Sequence, residues 1–160
     1  MPSLLARHPR LPLLLMLATL AAAGPALAQT TVTDAWVRGT VAQQKATGAF
    51  LKISSARGGR LVSATSTAAG TVEIHEMAMD GTTMRMRPLP QGLALPAGKA
   101  VLLAPGALHL MLTGLNSALK AGDTVELSLL VEGPDGQRET LVVKAPVRPL
   151  GGSAMGDHKH

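Results

Sequence analysis

Along most of this chain apolar and polar residues alternate in short runs separated by Gly and Pro. Thr31 to Arg38 alternates loosely, Ala49 to Ser54 carries Phe50, Leu51 and Ile53, and Arg60 to Thr65 follows an Arg57-Gly58-Gly59 turn. From Thr124 to Glu132 the residues Val125, Leu127, Leu129 and Val131 share one side; Gly133-Pro134-Asp135-Gly136 turns the chain, and Glu139 to Ala145 returns. A period of two marks strands with one buried face, and the Gly/Pro clusters between them read as turns. No stretch keeps a helical period, although Gly114 to Asp123 has room for one helical turn. Strands of this length at regular spacing predict an all-β sandwich or small barrel.

The middle of the chain carries the clearest local prediction. Asp80-Gly81 separates two alternating runs, and a two-residue type I′ loop at Asp80 and Gly81 pairs Met79 with Thr82, Met77 with Met84, Glu76 with Arg85 and His75 with Met86. Directly paired residues share a face, so His75, Met77, Met79, Met84 and Met86 fall together while Val72 and Ile74 face a core. Arg87 to Gly98, with Pro88, Pro90 and Pro96, reads as a covering loop. Val101 to Ala104, a Pro105-Gly106 turn and Ala107 to Thr113 read as a further hairpin. In its second strand Leu108, Leu110 and Leu112 form the core face, and His109 and Met111 point away from it.

Every His and Met outside the first 28 residues and the last few lies between Thr71 and Thr113. Two imidazoles and two thioethers, His75, Met86, His109 and Met111, make a soft, uncharged donor set with no carboxylate or thiolate in it. Thioether sulfur selects copper(I), and imidazole suits copper among several metals. The competing reading is that a Met stripe is packing. It is weakened because each Met-bearing face lies opposite an aliphatic face that already supplies a core. Met77, Met79 and Met84 are then packing around the ligands or alternative ligands, Met84 foremost because it shares the hairpin face.

On these residues the chain resembles the periplasmic copper chaperones of the PCu(A)C type, whose motif is His, ten residues, Met, about twenty-one residues, His-x-Met. His75 and Met86 are separated by ten residues, and His109-Leu110-Met111 supplies the last element. The connection from Arg87 to Leu108 has twenty-two residues, one more than the pattern, and the extra one is placed at Pro90-Gln91-Gly92. Asp34-Ala35-Trp36-Val37-Arg38 and Leu95-Pro96-Ala97-Gly98 also look like the family. The resemblance implies a cupredoxin-like Greek-key fold, copper(I) as the bound metal, and delivery to the dinuclear copper centre of cytochrome c oxidase through its subunit II or another copper assembly factor.

Composition narrows the alternatives. Arg7, His8 and Arg10 precede an apolar run from Leu11 to Ala23, and Ala26-Leu27-Ala28 offers a small-x-small cleavage site, so residues 1–28 read as a signal peptide and the protein as periplasmic, without stable membrane insertion after cleavage. Loss of this leader lowers Lys+Arg from 15 to 13 against 10 acidic residues, and the net charge from +5 to +3. With one Trp and one Phe and no basic block, nothing favours nucleic acid. The chain has no Cys, so it folds without disulfides, and no thiolate is present for a blue-copper centre. Trp36 reads as core or as a lid on it. Residues 29–149 are taken as the copper-binding β-domain, and 150–160 as a flexible tail. In the tail Met155, His158 and His160 are either incidental or an auxiliary metal arm, whose N/O ligands suit copper(II).

These features together predict a monomeric periplasmic carrier and not an enzyme. No G-x-S-x-G elbow, Gly-rich phosphate loop or H-E-x-x-H is present. A copper store or resistance buffer would use the same site, and a β-sandwich binding module with incidental Met would bind no copper.

Overall fold

The computed structural model describes residues 29–151; the leader and the tail residues Met155, His158 and His160 lie outside the described residues. Ten strands follow one another: β1 (Thr30–Arg38), β2 (Ala46–Ser55), β3 (Gly59–Thr65), β4 (Ala69–Asp80), β5 (Thr83–Pro88), β6 (Leu93–Leu95), β7 (Ala100–Leu103), β8 (His109–Leu115), β9 (Thr124–Glu132) and β10 (Arg138–Arg148). Among the described residues there is no helix, and so none long and apolar enough to cross a membrane. The helical turn allowed for between Gly114 and Asp123 is absent. There the Leu119 amide donates to the Thr40 hydroxyl and the Lys120 amide to Asp123, so the segment is tied down without a helix.

The strands form one path, β5-β4-β8-β2-β1-β10-β9-β3-β6, with β7 also paired to β2. The chain ends of the sheet path, β5 and β6, are not paired with each other. The β1–β10 pair is parallel and the other strand pairs are antiparallel. The path folds over on itself, because Leu51, Ile53, Ile74, Leu110 and Leu112 from one half and Leu61, Val125, Leu127, Leu129 and Val147 from the other share a single buried cluster. Alternation places these residues inward and their neighbours outward.

Two expectations fail for one reason. Leu93–Leu95, read as part of a covering loop, pairs with β3 as a short strand, and the segments around Pro90 and Pro96 on either side of it are turns, with the Gly92 amide donating to the Leu89 carbonyl and the Lys99 amide to the Pro96 carbonyl. β7 and β8 do not form a hairpin. Both run antiparallel to β2, β7 along Leu51 to Ser54 and β8 along Ala46 to Ala49, so residues 104–108 bulge out of one line of pairing. Gly106 takes φ +79 there, and the Ala107 amide donates to the Ala104 carbonyl. Pairing with a third strand, distant in sequence, decided both cases.

A second bulge lies in β1. Its register against β2 shifts between Thr33 and Trp36, with Asp34 at φ +54. One extra residue moves the following side chains to opposite faces. Val37 therefore enters the core, while Trp36 lies on the outer face, still only 5% exposed because it packs on Phe50 with ring centroids 4.5 Å apart. Trp36 is thus buried outside the principal core.

Leu110 is fully buried behind the outward-facing residues of β8. Leu110→Ala is expected to lower stability by about 2–5 kcal/mol through lost burial and a cavity. Val142→Ala, at a position 60% exposed, should change stability by no more than about 0.5 kcal/mol. Urea unfolding of the two variants measures both.

Candidate metal centre

β4 and β8 are antiparallel neighbours with Ile74 opposite Leu110, His75 opposite His109, and Glu73 opposite Met111. Ile74 and Leu110 are drawn into the core, which leaves His75, His109, Glu73 and Met111 on the outer face. The two imidazoles meet edge-on, with ring centroids 5.6 Å apart.

The β4–β5 hairpin supplies the remaining donors with a register two residues away from the expected one. Gly81 and Thr82 form its loop, Asp80 pairs with Thr83, Met79 with Met84, Met77 with Met86, and His75 with Pro88. Gly81 has φ +63, whereas Thr82, a β-branched residue, does not take positive φ. A two-residue loop with glycine first needs positive φ at only one position, whereas an Asp-Gly type I′ loop needs it at both. A slip of two preserves every face, so the shared face of His75 and the four methionines stands, but the partners change. Met77 stands opposite Met86, and Met84 sits nearer the hairpin tip opposite Met79. The Glu76–Arg85 pair is replaced by Glu76–Arg87 at 2.6 Å and Asp80–Arg85 at 2.9 Å.

Met86 is not across from His75; its sulfur reaches His109. His109 Nδ1 lies 3.0 Å from the Ala107 carbonyl oxygen, and its Nε2 lies 3.0 Å from Met86 Sδ. A carbonyl can only accept, so the proton of the neutral imidazole resides on Nδ1 and Nε2 carries a lone pair. A thioether has no proton to offer. With the proton on Nδ1, the Nε2 lone pair is directed at the Met86 thioether, and the two together are a nitrogen and sulfur donor pair suited to a soft metal ion.

His75 presents its other nitrogen. Its Nε2 donates to Glu73 Oε2 at 3.0 Å, while Nδ1 is buried and has no hydrogen-bond partner. Buried polar atoms without partners are rare, and this one is an available ligand atom on a side chain only 12% exposed. The carboxylate–imidazole arrangement is the one by which proteins orient metal-binding histidines.

A cavity of about 280 Å³ opens on this face, lined by Met77, Met86, His109 and Met111, with Gly48, Phe50, Arg38 and the Pro105-Gly106 turn closing it. Gly48 is required because a Cβ there would lie 2.8 Å from the Phe50 ring. The Arg38 guanidinium sits 5.4 Å from the centre of that ring, and that of Arg148 4.8 Å from the centre of Trp36. Among the described residues no three His, Cys, Asp or Glu side chains group as a hard-metal cage. The donors that do converge are imidazole nitrogen and thioether sulfur, a soft set.

A family profile with the description "Putative lipoprotein LpqE-like" matches residues 30–147. The chain belongs to this LpqE-like, PCuAC-type family. A curated relative, "Putative lipoprotein Lxx21020" of Leifsonia xyli subsp. xyli (strain CTCB07), is 34% identical over 124 residues, covering 76% of this chain and 71% of the relative. "Lipoprotein" is the description of that family and of that relative. The fold is similar to the solution structure of CuI-DR1885 from Deinococcus radiodurans, at 29% identity, a TM-score of 0.58, and coverage of 82% of this chain and 85% of that one. It is also similar to the copper-bound PCuAC domain from PmoF2, at 18% identity, a TM-score of 0.60, and coverage of 78% and 97%. The latter likeness bears on the fold alone.

In this LpqE-like chain Met86, His109 and Met111 line the cavity together with Met77, and His75 lies beside His109 on the same face; the sequence pattern missed the groups that orient and enclose them. Glu73 was legible in principle, because it lies two residues before His75 and so shares its face. The Ala107 carbonyl, Phe50 and Arg38 were not, since strand pairing and the two bulges bring them in. The hydrogen bonds fix opposite tautomers, with the proton on Nε2 in His75 and on Nδ1 in His109. Long-range ¹H–¹⁵N NMR of the neutral imidazoles should show this pattern, and Glu73→Ala should move His75 to a tautomer mixture while leaving His109 unchanged.

Proposed function

We propose that this protein is an exported copper(I) carrier that binds one ion through His75, Met86, His109 and Met111 and hands it to an acceptor protein. The observation that carries this reading is the approach of His109 Nε2 to Met86 Sδ, 3.0 Å apart at the wall of the cavity. The buried, unpartnered Nδ1 of His75 and the sulfur of Met111 complete the set. Copper is cargo in this scheme, and the reading assigns no catalytic step. The leader pattern of residues 1–28 and the similarity to the copper(I)-bound DR1885 support it.

The ligands hold the ion without giving up a proton or cancelling its charge. Arg38 at the cavity wall opposes a divalent ion about twice as strongly as a monovalent one at the same distance, which favours copper(I). Phe50 and the Pro105-Gly106 turn limit water on the side away from β5. Met86 is 45% exposed on an edge strand. An incoming thiolate can reach copper from that side and displace the thioether first, while His109 remains anchored by its Nδ1–H bond. This open side favours transfer over long-term storage. The acceptor implied by the resemblance is the dinuclear copper centre of cytochrome c oxidase.

Competition titration with a chromophoric copper(I) chelator tests the assignment. One tight equivalent is expected, retained after truncation beyond Pro149, and weakened roughly tenfold or more, about 1.4 kcal/mol, in Met86→Leu and His109→Ala. Unchanged binding in both variants, or loss only with the tail, would move the site elsewhere. If binding is confirmed, mixing the loaded protein with the soluble copper domain of oxidase subunit II should transfer the ion. A carrier for another acceptor would retain it.

A further inference from the structure

The β4–β5 hairpin extends beyond the body of the sheet. Pairing of β4 with β8 ends at His75–His109, and from Glu76 to Asp80 its pairing partner is β5 alone. On the outward-facing side of this ribbon only thioethers are found: Met79 opposite Met84 at the tip, then Met77 opposite Met86, whose sulfur touches His109. Met79 is 61% and Met84 49% exposed. Neither belongs to the buried core cluster or packs against it. The ribbon is instead tied through its other face, by the Glu76–Arg87 and Asp80–Arg85 ion pairs. The methionine face is therefore free of a structural task.

Resting on the carrier reading above, we propose that Met79 and Met84 form a second, outer copper(I) station, and that the hairpin is the track along which the ion travels between the protein surface and the inner site. Successive rungs on one face of a strand are about 7 Å apart, and each methionine has three rotatable bonds with which to lean toward the next rung. In each step a bond from copper to a tip sulfur breaks as a bond to Met77 or Met86 forms. The metal remains copper(I), and no proton or electron moves. Two flexible, solvated thioethers hold copper less tightly than the inner site, with its fixed imidazole, so the ion is drawn inward on capture. It passes outward when an acceptor at the tip binds it more strongly. The tip pair keeps a high local concentration of acceptor sulfur beside the inner site, an advantage of effective concentration and not of affinity.

The test uses protein labelled with ¹³C at the methionine methyls, titrated with silver(I) as a redox-inert probe, together with stopped-flow removal of copper(I) by a chelator. The first equivalent should shift the Met86 and Met111 methyls, and excess silver should then shift Met79 and Met84 together. In the Met79→Leu/Met84→Leu variant, where both exposed side chains stay apolar, the inner affinity should hold within about twofold while chelator-driven removal slows roughly tenfold. An unchanged urea midpoint will show that the fold is retained. If the inner methyls respond but Met79 and Met84 do not, or if the double variant releases copper at the parent rate, the track is refuted and the carrier site stands. If Met86 and Met111 do not respond to the first equivalent, the carrier reading fails and the track fails with it.

Discussion

The site depends on one pairing, that of β4 with β8, and on the rule that neighbouring residues of a strand face opposite ways. Ile74 and Leu110 are paired and buried, each contributing about 1.5–3 kcal/mol by leaving water. Their burial obliges the adjacent His75–His109 pair to project outward on the same rung spacing. A slip of one residue would expose the aliphatic pair and bury the imidazoles, so the register that holds the site is enforced by the core. The histidines need no stabilising interaction of their own to be placed.

The two halves of the site differ in how firmly they are held. His109 lies on an interior strand, flanked by β4 and β2, with its ring fixed by the Ala107 carbonyl. Met86 lies on β5, an edge strand whose six residues are exposed and whose pairing partner is β4. Exposed ion pairs such as those along the ribbon contribute little each, about 0–1 kcal/mol, so this is a part of the sheet where local opening is cheapest. A fixed imidazole wall facing a mobile thioether wall suits a site that must hold an ion and also release it.

The aromatic pair beyond the cavity is a consequence of irregularity. The β1 bulge at Asp34 turns Trp36 to the outer face, and the excursion at residues 104–108 opens β8 from β7 opposite Phe50. Together they make a rigid apolar flank, capped by Arg38 and Arg148, on the side of the site away from the hairpin. A regular sheet would present two continuous strands there, with no recess behind His109.

Much of this was legible in the sequence because a period of two is a local property. It marked most of the strands, put the leucines of β8 against a core, and gathered His75, the hairpin methionines, His109 and Met111 on outer faces, where their chemistry already indicated a soft metal. It also tolerated error, since a register wrong by two left every face correct. What periodicity alone could not decide was which partner each residue meets. The loop conformation at Gly81 chose Met77 over His75 as the partner of Met86. Pairing with β3 turned Leu93–Leu95 into a strand, and pairing with β2 turned an expected hairpin into a bulge. The nitrogen that each imidazole presents was set by Glu73 and by the Ala107 carbonyl. Periodicity determines which side of a strand a residue occupies; strand pairing, loop conformation and hydrogen bonding determine what it meets there, because alternation fixes a face and leaves register and side-chain contacts open.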